Sequence, residues 1–389
     1  MDISAEMVTA VVPLFLTATL GLSPAGFGLF AFSNEIARAT LPIVGGAVAD
    51  RTQRPKETAA AGYGISALTR AGLAGSALFG LWAIPFLLLD RLGKGLRTAP
   101  RDAMITLATP KEAWGAAFGI HRTMDAAGAL IGPIIAGIIL WQLPGSFDSV
   151  FVVSLAFGLL GFAVISIAVR NPKTTRSRSG SSAWQTLFGH WKVPGFRRIA
   201  VIAGALGLFT IGDSFIYLVI ADLAQEGETV GVSDVAKWFA YLSAGTAFVF
   251  VLTATPLGRI ADKVGRGRMW IAGHLILVAV YAALWMGPTS ASGVILVLVL
   301  LGLYYAATDG MMPALVAGVA SRDSRSGAIA LVSTVQAGAR AVSALVFGLI
   351  WVASGADRGL LVAGVGLLAM VATSSIFAVL RPKQPVEHV

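Results

Sequence analysis

Residues 149–169 read SVFVVSLAFGLLGFAVISIAV, a run without a single charged side chain. About 20 apolar residues in a helix cross the hydrocarbon of a bilayer, so this stretch predicts a membrane-spanning helix. Residues 199–220 and 292–307 are similarly apolar. Over the 389-residue chain 56% of residues are hydrophobic and only 13% are charged. Soluble domains carry about 25% charge, which excludes water as the main solvent. Transmembrane barrels would show segments of about ten residues with alternating polarity. The continuous runs here satisfy their backbone within helices instead. Many of the 45 glycines lie inside these runs, where small residues let helices approach closely.

Extending the reading along the chain predicts an all-α membrane protein with about twelve spans. They fall near 3–22, 24–48, 58–79, 81–105, 116–140, 148–169, 199–221, 236–256, 269–287, 292–318, 326–353 and 359–380. The first has only Met7 to Leu22 as a clean run, with Asp2 and Glu6 ahead of it, so it is either short or begins upstream. The opening MDISAEM carries acids before the apolar stretch, unlike a cleavable signal peptide. With the amino terminus in the cytoplasm, the inner loops and tail hold 19 Lys and Arg, while the outer loops hold two, Lys237 and Arg358. This is the positive-inside asymmetry. It places both termini in the cytoplasm, in a bacterial inner membrane. It also accounts for the net charge of +9 without a nucleic-acid partner.

The longest polar stretch, 170–198, holds seven basic residues and no acid. It predicts a cytoplasmic linker touching anionic headgroups, between a six-helix bundle at 1–169 and a second at 199–389. There is no Cys, and His121, His190, His274 and His388 are scattered. Disulfides, a metal centre and a membrane-embedded enzyme are therefore not expected, and no cofactor is implied.

Two loops repeat. GGAVADRTQRP at 45–55 carries Gly46, Asp50, Arg51 and Arg54. PLGRIADKVGRGR at 256–268 carries Gly258, Asp262, Lys263, Gly265 and Arg266. They stand at equivalent places in the two halves, as in pseudo-symmetric transporters. The second copy resembles the major facilitator loop motif, Gly-x-x-x-Asp-Arg/Lys-x-Gly-Arg-Arg/Lys, except that Gly267 replaces the last base. The first departs at Gln53 and Pro55. The resemblance implies that these acids sit at a neighbouring helix start and hold one gate conformation, which a helix dipole would favour by about 0.3–1 kcal/mol. The fourth span, with Arg91, Lys94, Gly95 and Arg97, is similar to a second family motif, Arg-x-x-Gln-Gly-x-Gly. Gly128, Gly132, Pro133 and Gly137 in the fifth resemble the Gly-x-x-x-Gly-Pro-x-x-Gly-Gly motif of the antiporter (exporter) branches, with Ala136 for one Gly. Independently of that, Gly128, Gly132 and Ala136 form a small-residue packing face with a bend at Pro133. The stretch DRLGKGLRTAPRDAM at 90–104 resembles a bacterial subgroup of exporters with undefined substrates.

Charge inside the spans points to a cavity. Each buried charge costs about 2.5–3.5 kcal/mol on insertion scales. Arg38, Arg70, Arg91, Lys94, Arg97, Arg101, Arg122 and Arg340 together would exceed the roughly 5–15 kcal/mol of a folded domain's stability if they faced lipid. Asp90, Lys94, Arg97 and Arg101 fall on one stripe of the fourth span, and Arg91 and Asp102 on another. Asp90, Arg91 and Lys94 are expected in a water-filled pathway; Arg97, Arg101 and Asp102 are expected nearer a gate. Glu35 with Arg38, and His121 with Asp125, have the spacing of local ion pairs. Asp213, Asp309 and Arg340 have no partner nearby in sequence, and Tyr305 offers an aromatic wall beside Asp309.

No phosphate-binding Gly-Lys-Ser/Thr loop is present, so an ion or solute gradient is the expected energy source. Acids scattered beside bases favour protons over sodium. These features predict a monomeric secondary transporter that exports a small organic, anionic or zwitterionic solute against protons by alternating access. A gradient-driven importer or uniporter, and a non-transporting sensor or scaffold, are the other readings.

Overall fold

The computed structural model describes residues 1–52, 54–75, 80–110, 113–171, 191, 193–227, 232–287, 290–320 and 325–379. Most of the expected linker at 170–198 lies outside them. The helices are α1 (Asp2–Leu14, continuing as a π-helical turn over Phe15–Thr19), α2 (Pro24–Thr52), α3 (Pro55–Ala74), α4 (Ala83–Ala108), α5 (Trp114–Gln142) and α6 (Phe147–Ile167). After the linker come α7 (Pro194–Gly207), α8 (Asp213–Gly227), α9 (Val232–Val264), α10 (Arg266–Trp285), α11 (Ala291–Thr308), α12 (Met311–Val319), α13 (Arg325–Ser354) and α14 (Ala356–Val379).

Among the described residues fourteen α-helices make twelve crossings, because two spans are each divided into two helices. Eight helical stretches are long and apolar enough, by length and composition, to cross a membrane. The others are α2, α3 and α4 and the α7–α8 span, which is broken. That span was expected to run continuously over 199–221. It breaks between Gly207 and Asp213, where Tyr281 on α10 takes over two freed backbone groups. The Ile211 N–H donates to the Tyr281 hydroxyl at 2.7 Å, and the hydroxyl donates to the Phe209 carbonyl at 3.2 Å. The tenth span loosens into a turn at Asp309-Gly310, between Thr308 and Met311, while its backbone stays in the helical region.

Tyr281 is 1% exposed, so no water replaces it. Tyr281→Phe is expected to cost about 1–3 kcal/mol, the desolvation of an unpaired buried N–H. A thermal melt of the purified variant checks this, and an unchanged melting temperature would contradict the role given to the hydroxyl.

The first six crossings pack among themselves, with α3 on α4 and α1 on α5 and α6; the last six pack around α9, α10, α11 and α13. The two groups meet along α2–α13 and α5–α9. Near the start of α2 the approach is backbone to backbone. A Cβ on Gly28 would stand 2.8 Å from the Ala344 carbonyl oxygen, and one on Gly348 would strike the Pro24 carbonyl. Phe27 stacks edge-on to Phe215 at 4.9 Å, and Phe215 to Phe347 at 5.0 Å. At this end, where α2 begins and α13 finishes, the two groups are in direct backbone and aromatic contact. The opposite end carries Arg51, Arg54, Lys263 and Arg266 and is called the basic end below.

Candidate transport cavity

Among the described residues, two chambers between the groups of helices hold buried charge, and a third of about 240 Å³, lined by Leu14, Pro24, Leu218 and Trp351, lies at the Phe27 end. The central one, about 230 Å³, is lined by Glu6 and Thr9 of α1, Ala129 and Pro133 of α5, Asp213 and Tyr217 of α8, residues of α9, and Tyr305 and Asp309. The second, about 440 Å³, separates Pro42 and Ile43 of α2 from Ala330, Ser333 and Thr334 of α13, towards the basic end. Arg38, Arg340 and Asp309 also line it. Asp309, at the turn within the tenth span, borders both chambers. Asp213 sits at the break of the α7–α8 span, where its carboxylate accepts from the Ser214 N–H at 2.8 Å. Each interruption thus delivers one acid to the same cavity, an arrangement discontinuous membrane helices make possible.

Neither Asp213 nor Asp309 has a base within ion-pair distance among the described residues. The remaining cavity charges are paired. Lys94 reaches Glu6 at 3.5 Å. Glu35 bridges the two groups of helices, accepting from Arg340 at 3.3 Å and from Arg38 at 3.4 Å. Arg91 donates to Thr9 Oγ1 at 3.4 Å.

Asp90 departs from its expected place in the pathway. It is 5% exposed, outside both chambers, and accepts from Arg70 Nη1 at 3.0 Å. The reason is its neighbour: α3 presents the fully buried Arg70 to this face of α4, and a carboxylate in low dielectric takes the nearest cation. Arg97 is also buried, donating to Ser66 Oγ at 3.2 Å with its guanidinium 5.0 Å from the centre of the Tyr63 ring. The positive stripe that favoured an anionic cargo is therefore committed to partners inside the first six crossings. Arg101 contacts Asp102 at 3.3 Å and Asp125 at 3.9 Å; His121 stands 3.5 Å from Asp125. This second cluster ties α4 to α5 away from the two chambers.

The sequence profile of the Major Facilitator Superfamily matches residues 1–344. The chain belongs to the major facilitator superfamily. An uncharacterised MFS-type transporter of Methanocaldococcus jannaschii is 27% identical over 358 residues, 90% of this chain and 85% of that protein. An uncharacterised protein of Mycobacterium tuberculosis is 32% identical over 128 residues, 32% of this chain and 30% of the other. The nucleoside transporter NupG superposes with a TM-score of 0.78 at 13% identity, covering 98% of this chain and 96% of that one. A bacterial homologue of the human lysosomal transporter Spinster, inward-facing and unoccupied, gives 0.73 at 16%, covering 96% and 93%. At such identities these structures establish the fold. The protein is a membrane transporter of small molecules, not an enzyme.

The major facilitator loop motif takes an unexpected form here. Asp262 does not reach a neighbouring bundle. Its carboxylate accepts from Arg266 Nε at 3.0 Å and Nη2 at 2.9 Å, across the turn into α10. Gly265 makes that turn with φ +106°, open to glycine and rarely to L side chains. The pair is exposed, so it adds about 0–1 kcal/mol; Lys263 is exposed as well, and Gly258 is half-buried with open space at its Cβ position. In the first copy Gly46 packs on Ala99 of α4, and Arg51 and Arg54 are exposed. The Asp50 side chain lies outside the described residues. Both loops lie at the end where α2 and α13 part. Of the fifth-span motif, Gly128 packs on Asp2 and Ile3, Gly132 on Ile3 and Glu6, and Gly137 on the Tyr241 ring of α9, while Pro133 lines the central chamber.

Sequence reading missed Glu6, Tyr217 and Arg70. In the sequence Glu6 stands ahead of the clean apolar run of the first span, and Arg70 is one of eight basic residues inside spans. A lone Arg among small residues, at ALTRAGLAG, was the available signal for a buried pair.

Proposed function

We propose that this transporter is proton-coupled and exports a small polar organic solute by alternating access, with Asp213 and Asp309 as the acids that load and release protons. The observation that carries this reading is their placement: two carboxylates without a base partner face one central chamber from the two divided spans. A carboxylate must be raised by about three pKa units to exchange protons near neutrality, roughly 4 kcal/mol of differential interaction. With the basic end in the cytoplasm, the chambers open inward and Phe27, Phe215 and Phe347 close the outside.

The export direction draws on the fifth-span resemblance. Tyr217 and Tyr305 beside carboxylates would equally suit an importer of ring-bearing solutes, and the flux experiment separates the two. Proteoliposomes with an imposed pH gradient are given candidate solutes while lumenal pH and solute flux are followed. Asp213→Asn and Asp309→Asn are each expected to reduce gradient-driven flux at least tenfold, while counterflow persists once solute is raised to saturation. Flux indifferent to the gradient, and unchanged in both variants, would overturn proton coupling.

A further inference from the structure

The two chambers differ in their charged linings: acids alone in the central one, and Arg38 and Arg340 beside the shared Asp309 in the second. The central one holds Glu6, Asp213 and Asp309, and Lys94 balances only Glu6. The second holds Arg38 and Arg340, with Ser333, Thr334 and Gln336 as hydrogen-bonding neighbours. Both guanidinium groups share one carboxylate, Glu35, over long contacts of 3.3 and 3.4 Å. Arg340 Nε is buried and has no hydrogen-bond partner among the described residues. Buried donors of this kind are rarely left unused, and an arginine fork is shaped for carboxylate or phosphate. Asp309 borders both chambers, so a single molecule of modest length can enter both.

We infer that the cargo is bipolar: its amine, as an ammonium, sits with Asp213 and Asp309 in the central chamber, and its carboxylate or phosphate sits on Arg38 and Arg340. The inference rests on the transport reading above and names the substrate class of that site. A singly charged cation would leave Arg340 Nε unpaired, and a singly charged anion would leave the central carboxylates facing water. The bipolar molecule satisfies both ends. Its anionic group takes the place of Glu35 on Arg340, so occupancy also loosens the contact between α2 and α13. At about 230 Å³ the central chamber takes a compact amine-bearing head and not a drug-sized one.

The test is equilibrium binding to the full-length protein in lipid nanodiscs at fixed pH, read by thermal stabilisation and titration. Binding needs no gradient, so it succeeds or fails independently of proton coupling. The probes are three matched sets: free amino acids, their amides and their N-acetyl derivatives. A parallel set holds phosphoethanolamine, ethanolamine and ethyl phosphate, which separates carboxylate from phosphate recognition. At least one zwitterion is expected to bind tenfold or more tightly than both of its singly charged partners. Arg340→Gln should weaken that zwitterion and its anionic partner about tenfold and leave the amine partner unchanged; Asp213→Asn should do the reverse. Amides or N-acetyl acids that bind as tightly as the zwitterions would overturn the inference. So would an absence of binding across both sets, or variants that weaken all three probe types alike.

Discussion

Asp90→Asn is expected to destabilise the protein by about 3–5 kcal/mol, the cost of leaving a buried cation without its anion. Arg70 is 0% exposed and Arg97 2%, so this carboxylate stands against two buried guanidinium groups. The surrounding bonds cannot take over its charge. Arg70 Nη1 also donates to the Ser66 carbonyl, and Nε donates to Ser154 Oγ at 3.1 Å. Ser154 Oγ in turn donates to the Ser4 carbonyl at 2.8 Å, and Ser4 Oγ to the Ser154 carbonyl at 2.6 Å. One polar network thus holds α1, α3, α4 and α6, and asparagine preserves its shape while removing its only full negative charge. A melting temperature lower by about 10 °C is the expected reading. Arg70→Met combined with Asp90→Leu should recover more than half of that loss, because an apolar pair can replace a buried ion pair at little net cost. A wild-type melting temperature for Asp90→Asn, or a double variant worse than the single one, would show that the pair does not carry the bundle.

The same residues mark where sequence reading stopped. Hydropathy and the basic loops were enough for twelve crossings and for charge that must avoid lipid, because both follow from local composition. Which neighbour each charge meets is a property of packing. Asp90 and Lys94 share a stripe of α4, yet Asp90 turns to Arg70, 20 positions earlier, while Lys94 turns to Glu6, 88 positions earlier. Glu35 was read with Arg38, three residues on, and that contact exists; its second partner, Arg340, is 305 positions away. Asp213 and Asp309 stood out because no base lies near them in sequence; among the described residues neither forms an ion pair, although Asp309 shares the second chamber with Arg38 and Arg340. The break before Asp213 was missed although Gly207 and Gly212 flank it, since glycine inside a membrane span more often marks close packing than a break.

Gly348→Leu is expected to shift the conformational equilibrium away from the state seen here. A Cβ at this position would strike the Pro24 carbonyl, and backbone atoms give way less readily than a flexible side chain. Overpacking of this kind costs about 1–3 kcal/mol. The cost falls only on the state in which α2 and α13 touch at the Phe27 end; once the two groups of helices rock apart there, the leucine has room. An energy difference of about 1–3 kcal/mol between two states changes their ratio roughly 5–150-fold. The chain has no cysteine, so spin labels can be placed at Val44→Cys and Ala330→Cys without altering the background. These positions lie on α2 and α13 on either side of the second chamber, where Ile43 and Ala330 form facing walls. If the groups move as rigid bodies about the cavity, opening the Phe27 end must close the basic end. The distance between labels should then shorten in Gly348→Leu. Gly338→Leu on the same helix is the control, because nothing lies within 4 Å of its Cβ position. A folded Gly348→Leu protein whose label distances match both wild type and the control would mean that α2 and α13 do not form the fulcrum. The Glu35–Arg340 contact would then be a static brace between the two halves of the bundle.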